Sequence, residues 1–281
     1  MEQTTRTLQN RRKGEERASI QKESIVSSVK AQLKTLIPPK YFSPAIKLYR
    51  QLRAPLYLGD RVYCPCCNGS FRQFLPYGLK SIRQNALCPY CGSLERHRLL
   101  WLYLHNRTNL FNDRLRVLHF APEDIIQKKL RSWPYLDYTS ADLDSPKAMV
   151  KMDITEIPYA ENTIDVILCS HVLEHVPDDH QAMSELYRIL KHGGWAILQV
   201  PLDLKRSKTF EDSNIVDPKE RLRIFGQADH VRIYGQDYKN RLERVGFIVH
   251  QDRYVCTLDP VLIARYGLQA DEEVFYCTKP K

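Results

Sequence analysis

Glycine is scarce in this chain, 11 residues in 281, and none falls in Arg116–Asp124, where a strand around Val117 and Leu118 gives way to a turn. A close approach of that turn to a ligand therefore cannot draw on glycine's conformational freedom. No apolar run reaches the roughly 20 residues of a bilayer-spanning helix. The charged N-terminus also lacks the apolar stretch of a secretory signal. The expected setting is the cytoplasm, with membrane association only at a surface. Acidic residues are outnumbered, 33 against 42 basic, and the deficit is uneven. Residues 1–60 hold 12 Lys/Arg and 5 Asp/Glu, which is +7 of the total +9. The excess belongs to an N-terminal arm and makes only a weak case for nucleic-acid binding by the whole protein.

With 43% apolar residues the chain can build a large core, and its length suits one large domain plus a smaller one. The basic arm covers residues 1–58. A helical pattern runs from Ile20 to Ile37 and stops at Pro38-Pro39. A second starts at Ser43-Pro44 and sets Ile46, Leu48, Tyr49 and Leu52 among Lys47, Arg50 and Arg53. Basic amphipathic helices of this kind lie on anionic membranes or pack on their own protein, so peripheral membrane contact stays open beside packing and oligomerisation.

Residues 59–93 carry Cys64-Pro-Cys-Cys67 and, 20 residues on, Cys88-Pro-Tyr-Cys91-Gly. Paired C-x-x-C hooks at this separation resemble a zinc ribbon. Two residues between thiols let one tight turn offer both sulfurs to a single ion. Four thiolates (Cys64, Cys67, Cys88 and Cys91) complete a tetrahedral Zn²⁺ and make the site structural. Cys66 could replace either member of the first hook. Disulfides suit a cytosolic setting poorly. Cys169, Cys256 and Cys277 stand alone in apparent strands and read as core residues. From Ser93, which can cap it, a helix places Leu94, Leu99, Leu100 and Leu104 on apolar contacts. Its Arg96, His97 and Arg98 either dock the ribbon on the larger domain or line a cleft; docking is preferred.

Ile164–Pro201 reads as a complete βαβ unit: a branched apolar strand Ile164–Cys169, a helix capped by Asp178 and Asp179, a stop at His192-Gly193-Gly194, and a strand from Trp195 to Val200. Its VLEHVPD, ELYRIL and K-x-GG words resemble the central block of class I S-adenosylmethionine (SAM)-dependent methyltransferases, with Ile164 where that family usually has Phe. The resemblance extends over residues 115–281. It implies an α/β, Rossmann-like, seven-stranded sheet with the last strand antiparallel, over residues 94–281 and headed by the small N-terminal ribbon. The family's acid and G-x-G-x-G loop fail here: His119 takes the acidic position, and Ala121, Glu123 and Ile125 take those of the glycines. By the same resemblance the cofactor would be held by His119, Phe120, Ala121, Glu123, Asp142, Leu143, Asp153, Ile154, Ser170 and His171. Glu123 would receive the ammonium, Asp142 (or Asp144) the ribose hydroxyls and Asp153 the adenine amino group. His171 and Glu174-His175 also align with an E-x-x-E-H segment of quinone-pathway O-methyltransferases that is linked to a divalent metal. A Glu-His pair that orders the loop is the preferred reading of those residues.

Residues 203–235 form the expected substrate lid. Methyl transfer from a sulfonium needs an aligned acceptor and, for oxygen or nitrogen, a proton acceptor. His230 oriented by Asp229 is the first candidate base, with His171 and His175 next. Helix capping by Asp229 and His230 is an equal alternative. Glu211, Asp212, Arg221, Arg232 and Tyr234 are the candidate substrate contacts, the arginines suiting an anionic group. The expected activity is methyl transfer to an O or N atom of a small molecule, with SAM as cofactor and Zn²⁺ as a structural ion. RNA methylation is the alternative, favoured by the basic arm and opposed by a lid of small-molecule type. A non-catalytic SAM-fold scaffold is the second alternative, suggested by the missing glycines. Oligomeric state is left open.

Overall fold

The structure is a computed structural model describing residues 39–78 and 82–281, with side chains from residue 44 onward; the helix expected over 20–37 lies outside them. The chain divides at Leu56/Tyr57 into two compact units. In the first, α1 (Pro39–Arg53) begins before the expected Ser43-Pro44 start and carries Pro44 inside it. That proline removes one intrahelical donor without ending the helix. Among the described residues no helix is long and apolar enough to cross a membrane.

The second unit opens with two small antiparallel ribbons. β1 (Leu58–Cys64) pairs with β2 (Gly69–Phe71), and β3 (Leu75–Tyr77) pairs with β4 (Arg83–Leu87). Each cysteine hook is a tight turn, closed by Cys67 N–H to the Cys64 carbonyl at 3.3 Å and by Gly92 N–H to the Cys88 carbonyl at 3.0 Å. Asn68 and Gly92 take positive φ (57° and 75°), as chain reversal directly after a hook requires. Then follows α2 (Glu95–Arg107), one residue later than a Ser93 cap allows. Ser93 is instead turned toward the cysteines. Its Oγ lies 3.1 Å from Cys64 Sγ and 3.3 Å from Cys91 Sγ.

The main sheet has seven strands: β5 (Leu115–Phe120), β6 (Leu136–Asp142), β7 (Val150–Lys151), β8 (Ile164–Ser170), β9 (Leu190–Gln199), β12 (Ile248–Asp252) and β13 (Val274–Thr278). Their spatial order is β12-β13-β9-β8-β5-β6-β7. β5 through β9 are parallel, whereas β13 runs antiparallel to both β9 and β12. This is the expected Rossmann-like class I methyltransferase topology. The strand order reverses between β5 and β8, which makes their carboxyl ends the switch point where open α/β sheets bind ligands. Between the strands run α3 (Asp124–Arg131), α4 (Asp179–Ile189), α5 (Pro218–Ile224), α6 (Tyr238–Arg244) and α7 (Pro260–Tyr266), and the lid adds a short pair, β10 (Phe210–Glu211) with β11 (Arg232–Ile233).

β8 shows why a branched apolar run becomes a central strand. Ile164, Val166, Ile167, Leu168 and Cys169 are all buried, and α4 sets Ala182, Met183, Leu186 and Ile189 in the same core. Each such aliphatic side chain contributes roughly 1.5–3 kcal/mol of burial. Asp178 caps α4 by accepting from Gln181 N–H at 2.9 Å. The helix ends at Ile189, before the glycine pair, and β9 starts at once. Gly193-Gly194 is a strand irregularity here, not a helix stop. The pairing of β8 with β9 slips between Leu190 and Trp195. A Cβ on Gly194 would lie 2.9 Å from the Asp165 and Lys191 carbonyl oxygens.

Arg98 fastens the cysteine module to the rest of its unit. Fully buried, it donates to the carbonyls of Ala86 (2.9 Å), Ser93 (3.0 Å) and Gly267 (2.8 Å), and to that of Tyr266. Its guanidinium carbon lies 4.0 Å from the centre of the Phe74 ring. Arg98→Met, which keeps the bulk and removes the donors, should cost about 3 kcal/mol or more, since several buried carbonyls lose partners at once. Urea unfolding followed by far-ultraviolet circular dichroism measures it, and a loss under 1 kcal/mol would show that the carbonyls find other donors.

Candidate active site

At the switch point two non-glycine residues hold left-handed backbone: Ala121 just past β5 (φ 44°) and His171 just past β8 (φ 57°). Such conformations cost of order 1–3 kcal/mol unless their surroundings enforce them. Here they are enforced. Ala121 N–H donates to the Ala141 carbonyl at 2.9 Å, and His171 N–H to the Gln199 carbonyl at 2.8 Å. The turn after β5 thus makes a glycine-type bend without glycine.

His119, placed at the usual acidic position, is fully buried. Nδ1 meets the Tyr138 hydroxyl at 2.9 Å and Nε2 meets Glu123 Oε2 at 3.0 Å. With both ring nitrogens engaged, His119 can reach a ligand only through Glu123, and Phe120 is likewise buried in the sheet. Burial alone would raise the Glu123 carboxyl; the hydrogen bond and charge of His119, with His97 beyond it, outweigh that and lower it to about 2. Asp142 ends β6, its Oδ1 accepting from Asp144 N–H (2.9 Å) and Ser145 N–H (2.7 Å), beside half-exposed Leu143. Asp153 is exposed and receives both the amide and hydroxyl of Thr155, while Ile154 is buried. Carboxylates therefore follow the carboxyl ends of β5, β6 and β7 in turn.

Beyond β8, a short 3₁₀ turn (Leu173–His175) brings together most of the expected catalytic groups, in a different pairing from the expected one. Asp229 does not orient His230. Its Oδ2 lies 3.3 Å from His175 Nδ1, and the His175 and His230 rings meet edge to face at 4.6 Å. Glu174 is buried, with Oε1 3.4 Å from His171 Nδ1. Neither Glu174 Oε2 nor His230 Nε2 has a hydrogen-bond partner among the described residues. Burial, and then the neighbouring His175, holds the His230 imidazole below its ordinary value. Glu174, His175 and His230 place donor atoms within 4.8 Å of one another, a set able to hold a metal ion.

The lid residues expected to grip substrate are turned to structural work. Arg232, 3% exposed, donates to the carbonyls of Leu173, Val176 and Pro177 and pairs with Glu211 at 2.9 Å. Tyr234 is fully buried with its hydroxyl on Asp179 at 2.7 Å. Glu211 also holds Arg241 at 3.1 Å. Arg221 donates to the Ile215 carbonyl, and Asp212 turns the loop at Asn214. Arg232 and Tyr234 offer no free group to an anion because three carbonyls and a buried carboxylate consume them.

Open space lies elsewhere. A cavity of about 320 Å³ opens at the carboxyl ends of β8 and β9, between His171, Val200, Pro201 and Leu202 on one side and Arg83, Glu95 and Arg96 on the other. Gln269, Asp271, Glu272 and Glu273, from the loop before β13, close a third side. A smaller cavity of about 20 Å³ adjoins it and reaches Glu123 and Ser170. Arg96 thus lines a cleft, where docking was the preferred reading of its segment. His97 is half-buried and accepts Leu94 N–H at 3.2 Å; desolvation of the ring lowers its imidazole to about 4. Glu272 was missed altogether. Asp271-Glu272-Glu273 reads in sequence as a solvated acidic turn, yet burial raises the Glu272 carboxyl to about 7.

In the cysteine module, Sγ atoms of Cys64 and Cys91 are 3.7 Å apart and those of Cys67 and Cys88 are 3.8 Å apart. All four sulfurs lie within 4.8 Å of one another, and none is in a disulfide. Four sulfurs at 2.3 Å from one tetrahedral ion sit about 3.8 Å apart, so the cluster fits zinc and is too open for disulfides. Cys66 stays outside the set, its Sγ 3.5 Å from the His97 carbonyl oxygen. Cys169 and Cys277 are buried in strands as expected; Cys256 is exposed on a 3₁₀ turn.

In comparison with known proteins, residues 127–198, about a quarter of the chain, match the methyltransferase domain family. The match is to a methyltransferase domain. It spans α3 to β9, the part of the sheet that carries Asp142, Asp153 and His171. An uncharacterized methyltransferase of Mycobacterium sp. (strain KMS) is 41% identical over 49 residues, 17% of this chain and 19% of that protein. The arsenite methyltransferase of Mus musculus is 36% identical over 101 residues, 34% of this chain and 23% of its own. The chain therefore spans about a fifth of the length of the curated relatives it matches. Among solved structures, the Burkholderia thailandensis 1,6-didemethyltoxoflavin-N1-methyltransferase is similar over 64% of this chain and 75% of that one, with a TM-score of 0.43 at 16% identity. The [4+2]-cyclase SpnF is similar over 65% and 81%, with a TM-score of 0.44 at 16% identity.

The low Glu123 value fixes a pH dependence. Its folded value near 2 lies below the unfolded value of about 4.3, so ionised Glu123 stabilises the fold by at most about 3 kcal/mol. That contribution is complete above the unfolded value and is lost as pH falls toward 2. Glu123→Gln should flatten the acid limb, giving a smaller stability loss between pH 5 and pH 3 than the wild type in urea titrations.

Proposed function

We propose that the chain is a SAM-dependent methyltransferase acting on an oxygen or nitrogen of a small-molecule acceptor, with a structural zinc ion in its cysteine module. The observation that carries the reading is the bend at Ala121, which supplies a glycine-type turn at the switch point of a seven-stranded sheet, with Asp142 ending the next strand and Asp153 just past the one after it. The residues fit the cofactor. Asp142 would take the ribose hydroxyls, Asp153 the adenine amino group and Glu123 the ammonium. That last role suits a carboxylate kept ionised inside the protein. Bound SAM would supply a sulfonium-activated methyl group, and the protein's part is alignment, exclusion of water and proton removal.

A small acceptor is favoured over RNA by the site itself. The cavity of about 320 Å³ lies within the usual range of small-ligand pockets and is walled on three sides. The cysteine set matches structural zinc in ligand type, number and spacing, and would add folding energy to a module whose ribbons are only three to seven residues long.

Two measurements test this. Calorimetry should show SAM binding that weakens at least tenfold in Asp142→Ala; unchanged affinity would remove Asp142 from the site, and no binding at all would end the methyltransferase reading. Atomic spectroscopy should find one zinc per chain, lost in Cys88→Ser together with several kcal/mol of stability. A folded, zinc-free chain would sink the structural-metal assignment, and a second equivalent would belong to Glu174, His175 and His230.

A further inference from the structure

We infer that the cavity between the cysteine module and the ends of β8 and β9 is the acceptor site, and that Glu272 is its general base, taking the proton from a hydroxyl or amine as that atom is methylated. This rests on the methyl-transfer reading above and adds the acceptor's place and the group that accepts its proton.

The larger and smaller cavities share Arg96, His171, Gln199 and Glu272, which form the neck between them. One side of the neck leads to Glu123 and Ser170, the cofactor side. The other opens into space for a small molecule. A base at this place must be free of other partners and able to take a proton. Gln199 is excluded, since its Oε1 accepts from Phe275 N–H at 2.7 Å and its Nε2 donates to the Glu273 carbonyl at 2.8 Å. Arg96 is a permanent cation, its Nε buried without a partner. His171 has Nδ1 3.4 Å from Glu174 Oε1, which leaves its Nε2 as the one rival acceptor at the neck. The Glu272 carboxylate makes no hydrogen bond or ion pair among the described residues, so both its oxygens can accept a proton.

The surroundings tune it. Burial raises the Glu272 carboxyl; Glu95 at the start of α2 and Asp271 beside it push the same way, while Arg96 and Arg83 oppose them. The neighbouring acids are otherwise engaged, Glu95 with Arg83 at 2.9 Å and Glu273 with Arg253 at 3.5 Å. A carboxyl titrating near neutrality is half in its basic form at working pH, the condition under which a general base is most effective. In the transfer, the acceptor's lone pair forms the new C–O or C–N bond as the methyl–sulfur bond breaks. The electron pair of that bond stays on sulfur, which becomes a neutral thioether. The acceptor's proton passes to the Glu272 carboxylate and from there to water.

Calorimetry of SAM and S-adenosylhomocysteine at pH 7, in two buffers of different ionisation enthalpy, tests this without a known acceptor. A sulfonium at the neck favours ionised Glu272, so SAM should release a proton fraction that S-adenosylhomocysteine does not. The fraction is about 0.4 for a one-unit fall from 7. Glu272→Gln, close in size and shape, should bind SAM about fivefold more weakly than the wild type at pH 7, as the same one-unit shift requires, and lose that extra release. In the wild type the preference for SAM over S-adenosylhomocysteine should rise between pH 6 and pH 8, and in the variant the pH trend should be correspondingly weaker. SAM binding with no extra release in the wild type, or with release unchanged in Glu272→Gln, overturns the assignment of Glu272 alone. An absence of SAM binding removes the methyl-transfer reading and this inference with it.

Discussion

A guanidinium with no exposed surface governs the arrangement of the larger unit. Burying Arg98 is expensive in solvation, and the cost is met by carbonyls from three separate segments: Ala86 on β4, Ser93 after the second cysteine hook, and Tyr266 with Gly267 at the end of α7. The Ser93 carbonyl also accepts Cys88 N–H, and its hydroxyl touches two of the four thiols. Cysteine cluster and docking site are thus one network. Arg96 sits two residues earlier on the same helix, so fixing Arg98 also fixes the cavity wall opposite His171.

Strain at the switch point follows a similar logic. Ala121 and His171 adopt backbone that an alanine or histidine avoids in isolation, and each is held by a hydrogen bond to a neighbouring strand's carbonyl. A glycine loop gains its shape by permissiveness. Here the shape is imposed by the sheet, so the turn arrives preformed and less mobile. Glu123 then reaches back from the turn to His119, coupling it to Tyr138 on the next strand.

Signals carried by near neighbours in sequence were legible. The apolar run of β8, the helical spacing of α4, the two hooks and the acids after β6 and β7 all declare themselves within a few residues, because strand burial, helix periodicity and chelate spacing are local constraints. What failed depended on partners far along the chain. Arg232 looks like an anion grip until the carbonyl of Leu173, 59 residues away, is seen to hold it. Asp229 looks like the partner of His230 because the two are adjacent, yet the fold turns it to His175. Glu272 carried no warning, since only the packing of α2 and β4 over an acidic turn distinguishes it from an ordinary solvated one. The glycine pair at 193–194 misled for a related reason: a helix stop and a strand irregularity use the same residues.

The reach of Arg98 also orders events as the chain is made. Its bonds to Tyr266 and Gly267 span 168 and 169 residues, whereas the four cysteines lie within 28. The four sulfurs can come together early, while most of the sheet is still unsynthesised. The seat of the guanidinium stays incomplete until the end of α7 has emerged. The cysteine module is therefore able to form well before it is secured.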